Sequence, residues 1–239
     1  MSAVYANQLF IRLPEKVQAA LLPHLTIREV ARGAVLVNDL APVTHVSFPL
    51  TCMARIDAPI GEGRYAHTGI LGRHNVIGTH VVHLKPSPPR RVTVLIPGYI
   101  ATCDVRLYRD QFKRSAALRE TMSWLQLQAH RRVSQLAACN ATHDLRQRLA
   151  RLLLQLHYIQ DITVLGVAQA DLAHILGVRR EAVTRELAEV ESAGLVSLAR
   201  NRIEILSLEA LTERSCSCHA ELMFSGRYDY ATLNPRQRA

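Results

Sequence analysis

The chain has 239 residues, 49% of them hydrophobic and 21% charged, which fits a two-domain globular protein and excludes a disordered one. No run of about 18 apolar residues occurs, so no membrane-spanning helix is expected, and the opening MSAVYANQLFIRLPEK lacks the pattern of a secretory signal. The net charge of +9 invites a polyanion, but residues 1–139 hold 17 basic against 8 acidic residues while residues 140–239 hold 12 of each, so bulk charge marks no site. Five cysteines, an odd number at irregular spacing, read as reduced thiols of a cytoplasmic protein.

In chain order, LPEKVQAALLPHL reads as a helix begun at Pro14. The period then changes. Residues 26–37, 43–48, 52–56, 66–71 and 91–96 are short and rich in Val, Ile and Thr, with turn residues between them such as Gly33 and Gly61-Glu62-Gly63. Short strands at this spacing predict a small β-roll or barrel, assigned to residues 1–109. His74, His80 and His83 fall within ten residues of one another, but His80 and His83 would point to opposite faces of a strand. They are read as surface or core-edge histidines, and no metal site is assigned.

From Asp104 to Asn140 the pattern is helical. Leu118, Met122, Leu125, Ala129, Val133 and Leu136 form a nearly heptad seam, with His130, Arg131 and Arg132 largely off it. Such a seam either packs on its own domain or pairs with a copy of itself. Residues 110–140 are assigned to this helix and a hinge at Cys139-Asn140-Ala141, and 141–220 to a C-terminal domain. The helix THDLRQRLARLLLQLHYI opens that domain, with Thr142 as N-cap.

AQADLAHILGVRREAVTRELAEVESAG then reads as two helices meeting at Gly177. Ala168, Leu172, Ile175 and Leu176 face inward on the first, and Val183, Leu187 and Val190 on the second. That is a helix-turn-helix, whose second helix enters the DNA major groove by its N-terminal turn. Arg179, Arg180, Glu181, Thr184 and Arg185 are left facing outward. Arg bonds guanine through two parallel N–H groups, and Glu accepts from cytosine. The competing reading is a solvated face laced by Arg180/Thr184 and Glu181/Arg185 pairs. Beyond Gly194, LVSLARNRIEILSL alternates around Asn201 as a hairpin or wing, placing Arg200 and Arg202 to meet phosphates. Cys216-Ser-Cys218-His219 has ligand chemistry but supplies at most three ligands with no fourth nearby in sequence. Residues 221–239 form a tail without pattern, and no catalytic residues are assigned.

RREAVTRELAEVESAGLV followed by RNRIEIL resembles the winged helix-turn-helix of the Crp/Fnr family of bacterial transcription regulators. The order of leading helix, β-roll, long helix and winged helix is similar over nearly the whole chain. The resemblance implies an α+β fold with an N-terminal double-stranded β-helix (cNMP-binding-like). It also implies homodimerisation through the seam as a parallel helix pair, an inverted-repeat operator, and RNA polymerase as a partner. The family's base-reading Arg-Glu-x-x-x-Arg falls on Arg180, Glu181 and Arg185. Arg179 stands where a Ser commonly caps the helix, and Ala182 where a Thr often contacts phosphate.

Cyclic-nucleotide-binding members carry a Gly-Glu-Leu-type turn and an Arg-Ser/Thr pair. Here Val76 or Ile77 takes the Glu position, and Pro88-Pro89-Arg90-Arg91 replaces the pair, so cyclic AMP is not expected as effector. Gly78, Arg90 and Arg91 leave an anionic effector open, beside a closed β-roll with no ligand. An iron–sulfur cluster is not expected from Cys52, Cys103 and Cys139, which are too scattered. Haem is left open by eleven unplaced histidines. Two other classes compete with this reading. A metal-dependent β-barrel enzyme lacks a compact His/carboxylate set. A cyclic-nucleotide module with a degenerate helix-turn-helix would not need Arg180, Glu181 and Arg185.

Overall fold

The structure, a computed structural model, describes residues 3–38, 41–82 and 90–222. His83, Pro88, Pro89 and the tail beyond Leu222 lie outside the described residues. No described helix is long and apolar enough to cross a membrane.

The chain opens with α1 (Gln8–Ile11) and α2 (Glu15–Leu21), and Pro14 does stand at the N-cap of α2. Seven strands follow: β1 (Thr26–Val30), β2 (Val35–Val37), β3 (His45–Pro49), β4 (Met53–Pro59), β5 (Tyr65–Leu71), β6 (Arg91–Ile96) and β7 (Gly98–Asp104). They form two antiparallel sheets, ordered β1-β7-β3 and β2-β6-β4-β5. The predicted single strand over 26–37 breaks at the Gly33 turn, which sends its halves to different sheets. Val30, Val37, Ala54, Val92, Val94 and Ile100, drawn from both sheets, pack together as the inner core of the roll.

Each sheet also buries its outer face. On the three-stranded side, Val46, Phe48, Ala101 and Cys103 meet Phe10, Leu13, Val17 and Leu21 from the leading helices. Phe10 stands edge-on to Phe48 at 5.4 Å between ring centres. Buried Asn7 fixes this junction. Its carboxamide oxygen accepts from Phe10 N–H (2.8 Å), and its amide donates to the carbonyls of Pro49 (2.7 Å) and Asn75 (3.1 Å).

Helix α3 (Val105–Arg114) is capped by Asp104, and Ser115 then caps α4 (Ala116–Thr142). The helical reading of 104–140 therefore holds with a break at Ser115. The seam divides. Leu118 and Met122 are buried beside Tyr108, whose hydroxyl donates to the Met122 sulfur at 2.8 Å, and Leu136 packs near Cys139, Cys216 and Leu222. These three of the six predicted dimer contacts are claimed by the chain's own cores. Leu125 is half-buried, while Ala129 and Val133 face outward.

The predicted hinge at 139–141 is helical, because nothing in Cys139-Asn140-Ala141 breaks the ladder; α4 ends at its C-cap, His143. Asp144, not Thr142, caps α5 (Leu145–Gln160), accepting from Gln147 N–H at 2.9 Å. Thr142 instead donates back to the Ala138 carbonyl. After α5 come β8 (Val164–Leu165), α6 (Gln169–Leu176), α7 (Arg180–Ser192), β9 (Val196–Ala199), β10 (Arg202–Ile205), α8 (Leu208–Arg214) and α9 (Cys218–Leu222).

The C-terminal core is continuous with the roll. Leu149, Leu152, Leu153, Leu172, Val183 and Leu187 join one cluster with Met53, Ile70, Leu95 and Ile96 from the four-stranded sheet. Polar contacts reinforce the docking. Gln160 donates to the Cys52 carbonyl at 2.8 Å, Arg32 pairs with Asp171, and His174 Nε2 lies 3.0 Å from Asp57 Oδ1. The first helix of the helix-turn-helix thus sits against the β-roll.

Candidate nucleic-acid interface

Helices α6 and α7 meet where the sequence predicts. Gly177 takes φ 67°, ψ 34°, and its N–H returns to the carbonyls of Ala173 and His174. Leu172, Ile175, Leu176, Val183, Leu187 and Val190 are buried, so the outward face of α7 is fixed. Its rear is pinned by ions: Arg146 reaches Glu189 at 2.7 Å and Glu186 at 3.8 Å, while Arg214 reaches Glu189 at 3.5 Å. Arg148 donates to the Leu176 carbonyl and ties the turn to α5.

Arg179, Arg180, Glu181, Thr184 and Arg185 are all exposed. Among the described residues, the side chains of Arg179, Arg180, Glu181 and Arg185 make no ion pair or hydrogen bond with the chain. The surface ladder of the competing reading is therefore not formed. Thr184 donates to Gln169 Oε1 (2.7 Å) and to the Arg180 carbonyl (3.1 Å), tying α7 to the start of α6. Neither α6 nor α7 has a side-chain N-cap, since Ala168 and Arg179 stand there. Two arginines at an uncapped helix N-terminus oppose the helix dipole, a local cost that an incoming anion would relieve.

The wing forms as β9 and β10, paired Ala199↔Arg202 through Ile205↔Val196, with β8 alongside β10. Asn201 supplies the left-handed turn residue at φ 56°. Among the described residues, exposed Arg200 makes no side-chain ion pair or hydrogen bond, whereas Arg202 pairs with Glu204 at 3.0 Å. A groove of about 310 Å³ joins the start of α6, Arg180, Arg200, Asn201 and Arg202 into one concave surface.

Residues 147–214 match the family of Crp-like helix-turn-helix domains. The chain carries a Crp-like helix-turn-helix domain. Solved structures of Crp/Fnr regulators share the fold of most of the chain. A protein assigned to the Crp/Fnr family from Eubacterium rectale is 20% identical, with 87% of this chain and 98% of that one covered at a TM-score of 0.66. FixK2 from Bradyrhizobium japonicum is 14% identical over 81% and 98%, at 0.66. The c-di-GMP-responsive global regulator CLP from Xanthomonas campestris is 15% identical over 81% and 100%, at 0.65. A search of curated proteins gives no match.

A second cavity, of about 380 Å³, opens between the β-roll and α4, away from the groove beside the wing. Gly78, Thr79, His80 and Arg90 line it from the roll, and Gln126 and Arg132 from α4; no carboxylate is among the described lining residues. A Cβ on Gly78, held at φ 90°, would stand 2.6 Å from the His45 carbonyl oxygen. Burial lowers the Arg90 and Arg132 guanidinium pKa values, and burial with neighbouring Arg90 pushes His80 down to about 4. Arg91, predicted alongside Arg90, turns away: it lies over the Tyr65 ring at 4.0 Å and donates to its hydroxyl at 3.0 Å. Arg132 and Gln126 escaped the sequence reading because they sit off the apolar seam, on the flank that faces the roll. His74 does not join His80, stacking instead on Tyr158 at 6.0 Å.

The third constellation is one the sequence reading missed. Cys139, His143, Cys216 and Cys218 bring four ligand atoms within 4.8 Å of one another. The C-terminal motif supplies two of them, Cys216 and Cys218, and the end of α4 supplies the other two, Cys139 and His143. His219 is not part of it, since its Nδ1 lies 3.3 Å from Ser215 Oγ and 3.2 Å from the Cys216 carbonyl. Cys52 and Cys103 are remote, buried thiols, pushed up by burial to about 11 and about 12.

Proposed function

We propose that the chain is a homodimeric, sequence-specific transcription regulator acting in the cytoplasm, which binds an inverted-repeat operator and is gated by an anionic effector in the β-roll cavity. The observation that carries this reading is the set of uncompensated, outward-facing side chains on α7, Arg180, Glu181 and Arg185, sharing a groove with the wing tip. Their chemistry suits base edges, while Arg200 and Arg202 suit phosphates. No substrate chemistry is needed to account for any of these residues, and RNA polymerase enters as a partner through the family alone.

Two-fold symmetry supplies the operator geometry. Pairing of α4 with its copy through Ala129 and Val133 would carry two Crp-like domains to successive major grooves. The cavity bears on the same helix, because Ala129 itself lines it, with Gln126 and Arg132 about one turn to either side. An anion held by Arg90 and Arg132 would thereby favour one placement of α4, and only a placement that fits the operator would bind it. Cyclic AMP is not the ligand proposed, since no carboxylate among the described residues lines the cavity to take a ribose hydroxyl. The c-di-GMP response of the Xanthomonas regulator makes a larger anionic nucleotide a reasonable first compound to try.

Selection of binding sites from random duplex DNA tests the class. An inverted repeat is expected, with half-site centres about 34 Å apart, one helical turn. Recovery of no common sequence would overturn the reading.

A further inference from the structure

The Cys/His cluster lies where α4 ends and the Crp-like domain closes. Cys139 is in the last turn of α4 and His143 is its C-cap; Cys216 follows α8, and Cys218 opens α9. The three thiols are buried and His143 is half-buried. The Sγ atoms of Cys139 and Cys216 are 3.6 Å apart, and Cys218 Sγ is 3.7 Å from His143 Nδ1. A tetrahedral zinc with Zn–S of about 2.3 Å and Zn–N of about 2.0–2.1 Å requires S···S edges of about 3.8 Å and S···N edges of about 3.6 Å. Two of the six edges already have that length, and the remaining pairs lie within 4.8 Å.

A second observation points the same way. Arg151 on α5 is 1% exposed, among the most deeply buried side chains of the chain. Its Nη1 donates to Gln155 at 3.1 Å, but its Nε has no partner. Burial chiefly lowers its pKa and Arg148 lowers it further, while the charges that Cys139, Cys216 and Cys218 carry as thiolates raise it. A buried guanidinium beside neutral thiols is an uncompensated charge, which is costly. Zinc resolves this: binding releases three thiol protons, and Zn²⁺ with three thiolates and a neutral imidazole carries one negative charge to match Arg151. Gln135 supplies an outer-shell donor, its amide reaching Cys218 Sγ at 3.1 Å. Cysteine-rich ligation and four-coordination select zinc over the harder divalent cations.

We infer that Cys139, His143, Cys216 and Cys218 form a structural zinc site that clamps the end of α4 to the C-terminus of the Crp-like domain. The clamp fixes the junction between the end of α4 and the start of α5. The inference is independent of whether the chain binds DNA.

The test uses the full chain purified under reducing conditions. Metal analysis should find one zinc per chain. After removal of that zinc, cobalt titration should give the intense bands of a tetrahedral site with sulfur-to-cobalt charge transfer. Cys139→Ala and Cys218→Ala should each abolish both signals, while the Cys52→Ala/Cys103→Ala double variant retains them. Cys218→His keeps a four-ligand set and should retain zinc, which separates ligation from folding. Failure of the reduced wild-type chain to bind zinc or cobalt would overturn the inference. So would cobalt bands lacking thiolate charge transfer, or a Cys139–Cys216 disulfide in place of metal in protein purified without oxygen.

Discussion

Val133→Glu is expected to convert a dimer to a monomer and to weaken operator binding by about 10²–10⁴-fold, the avidity that linking two binding modules supplies. Val133 is 46% exposed although it is a large apolar side chain on a 27-residue helix. It lies one turn beyond exposed Ala129, on the flank of α4 that continues the cavity wall. In a separate chain the glutamate would face water, so folding should be unaffected. In a parallel two-fold pair the two glutamates would face each other across a desolvated seam. Leu127, 55% exposed and about 120° round the helix from Val133, is the control: Leu127→Glu should leave the dimer intact. Light scattering and operator titration read both effects. A Val133→Glu protein that stays dimeric and binds as the wild type does would show that the pairing surface lies elsewhere.

The second large effect is on stability. Asp57 is 1% exposed, and its carboxylate meets His174 at 3.0 Å, Arg55 at 3.3 Å and His67 at 3.8 Å. Burial pushes its pKa up, but the bond from His174 and then the contacts of His67 and Arg55 outweigh burial and hold it well below the usual carboxylate range. Burial lowers the His67 pKa against the pull of Asp57. Removing the carboxylate leaves Arg55 and His67 without their anion and deletes the bond that docks α6. Asp57→Ala is expected to cost about 3–5 kcal/mol, the cost of breaking a buried pair. That lowers the melting temperature by roughly 6–20 °C for a chain of this size. The sign with pH follows from the depressed pKa. The contribution is complete above the unfolded carboxyl pKa of about 3.9, and it is lost as pH falls through the lower folded value. The wild-type advantage over Asp57→Ala should therefore be full at neutral pH and shrink only below about pH 4. Thermal unfolding followed at neutral and acid pH would show it. Equal melting temperatures at neutral pH would mean that the ion cluster does not hold the domains together.

The helix-turn-helix was legible because its signals are local. One glycine in a left-handed turn, two apolar stripes and an asparagine at a hairpin tip each act within a few residues. The strand β7 was not read, because it is the central strand of its sheet. Ile100, Ala101 and Cys103 are buried in succession or nearly so, and no alternation announces them. The break at Ser115 was hidden because the apolar period resumes almost at once. The hinge was misplaced by three residues, since Thr142 and Asp144 are both good caps and only the packing of α5 chooses between them.

The candidate sites divide along the same line. Arg180, Glu181 and Arg185 follow from the helix phase alone. Arg132 faces the cavity because α4 packs on the roll, a relation that no helix period contains. Cys139 and Cys216 stand 77 residues apart, so their neighbourhood exists only in three dimensions.

Sequence reading by α7 is the central claim. Its most direct test is the binding of Arg180→Ala and Arg200→Ala proteins to a panel of single-base operator variants at several salt concentrations. Arg180→Ala should lose about 1–3 kcal/mol on the preferred site and relax the preference at one base pair per half-site. Arg200→Ala should weaken every duplex alike and make the salt dependence shallower by about one unit. If both substitutions reduce affinity by the same factor on every variant, the face of α7 is an ordinary basic surface and the account is wrong.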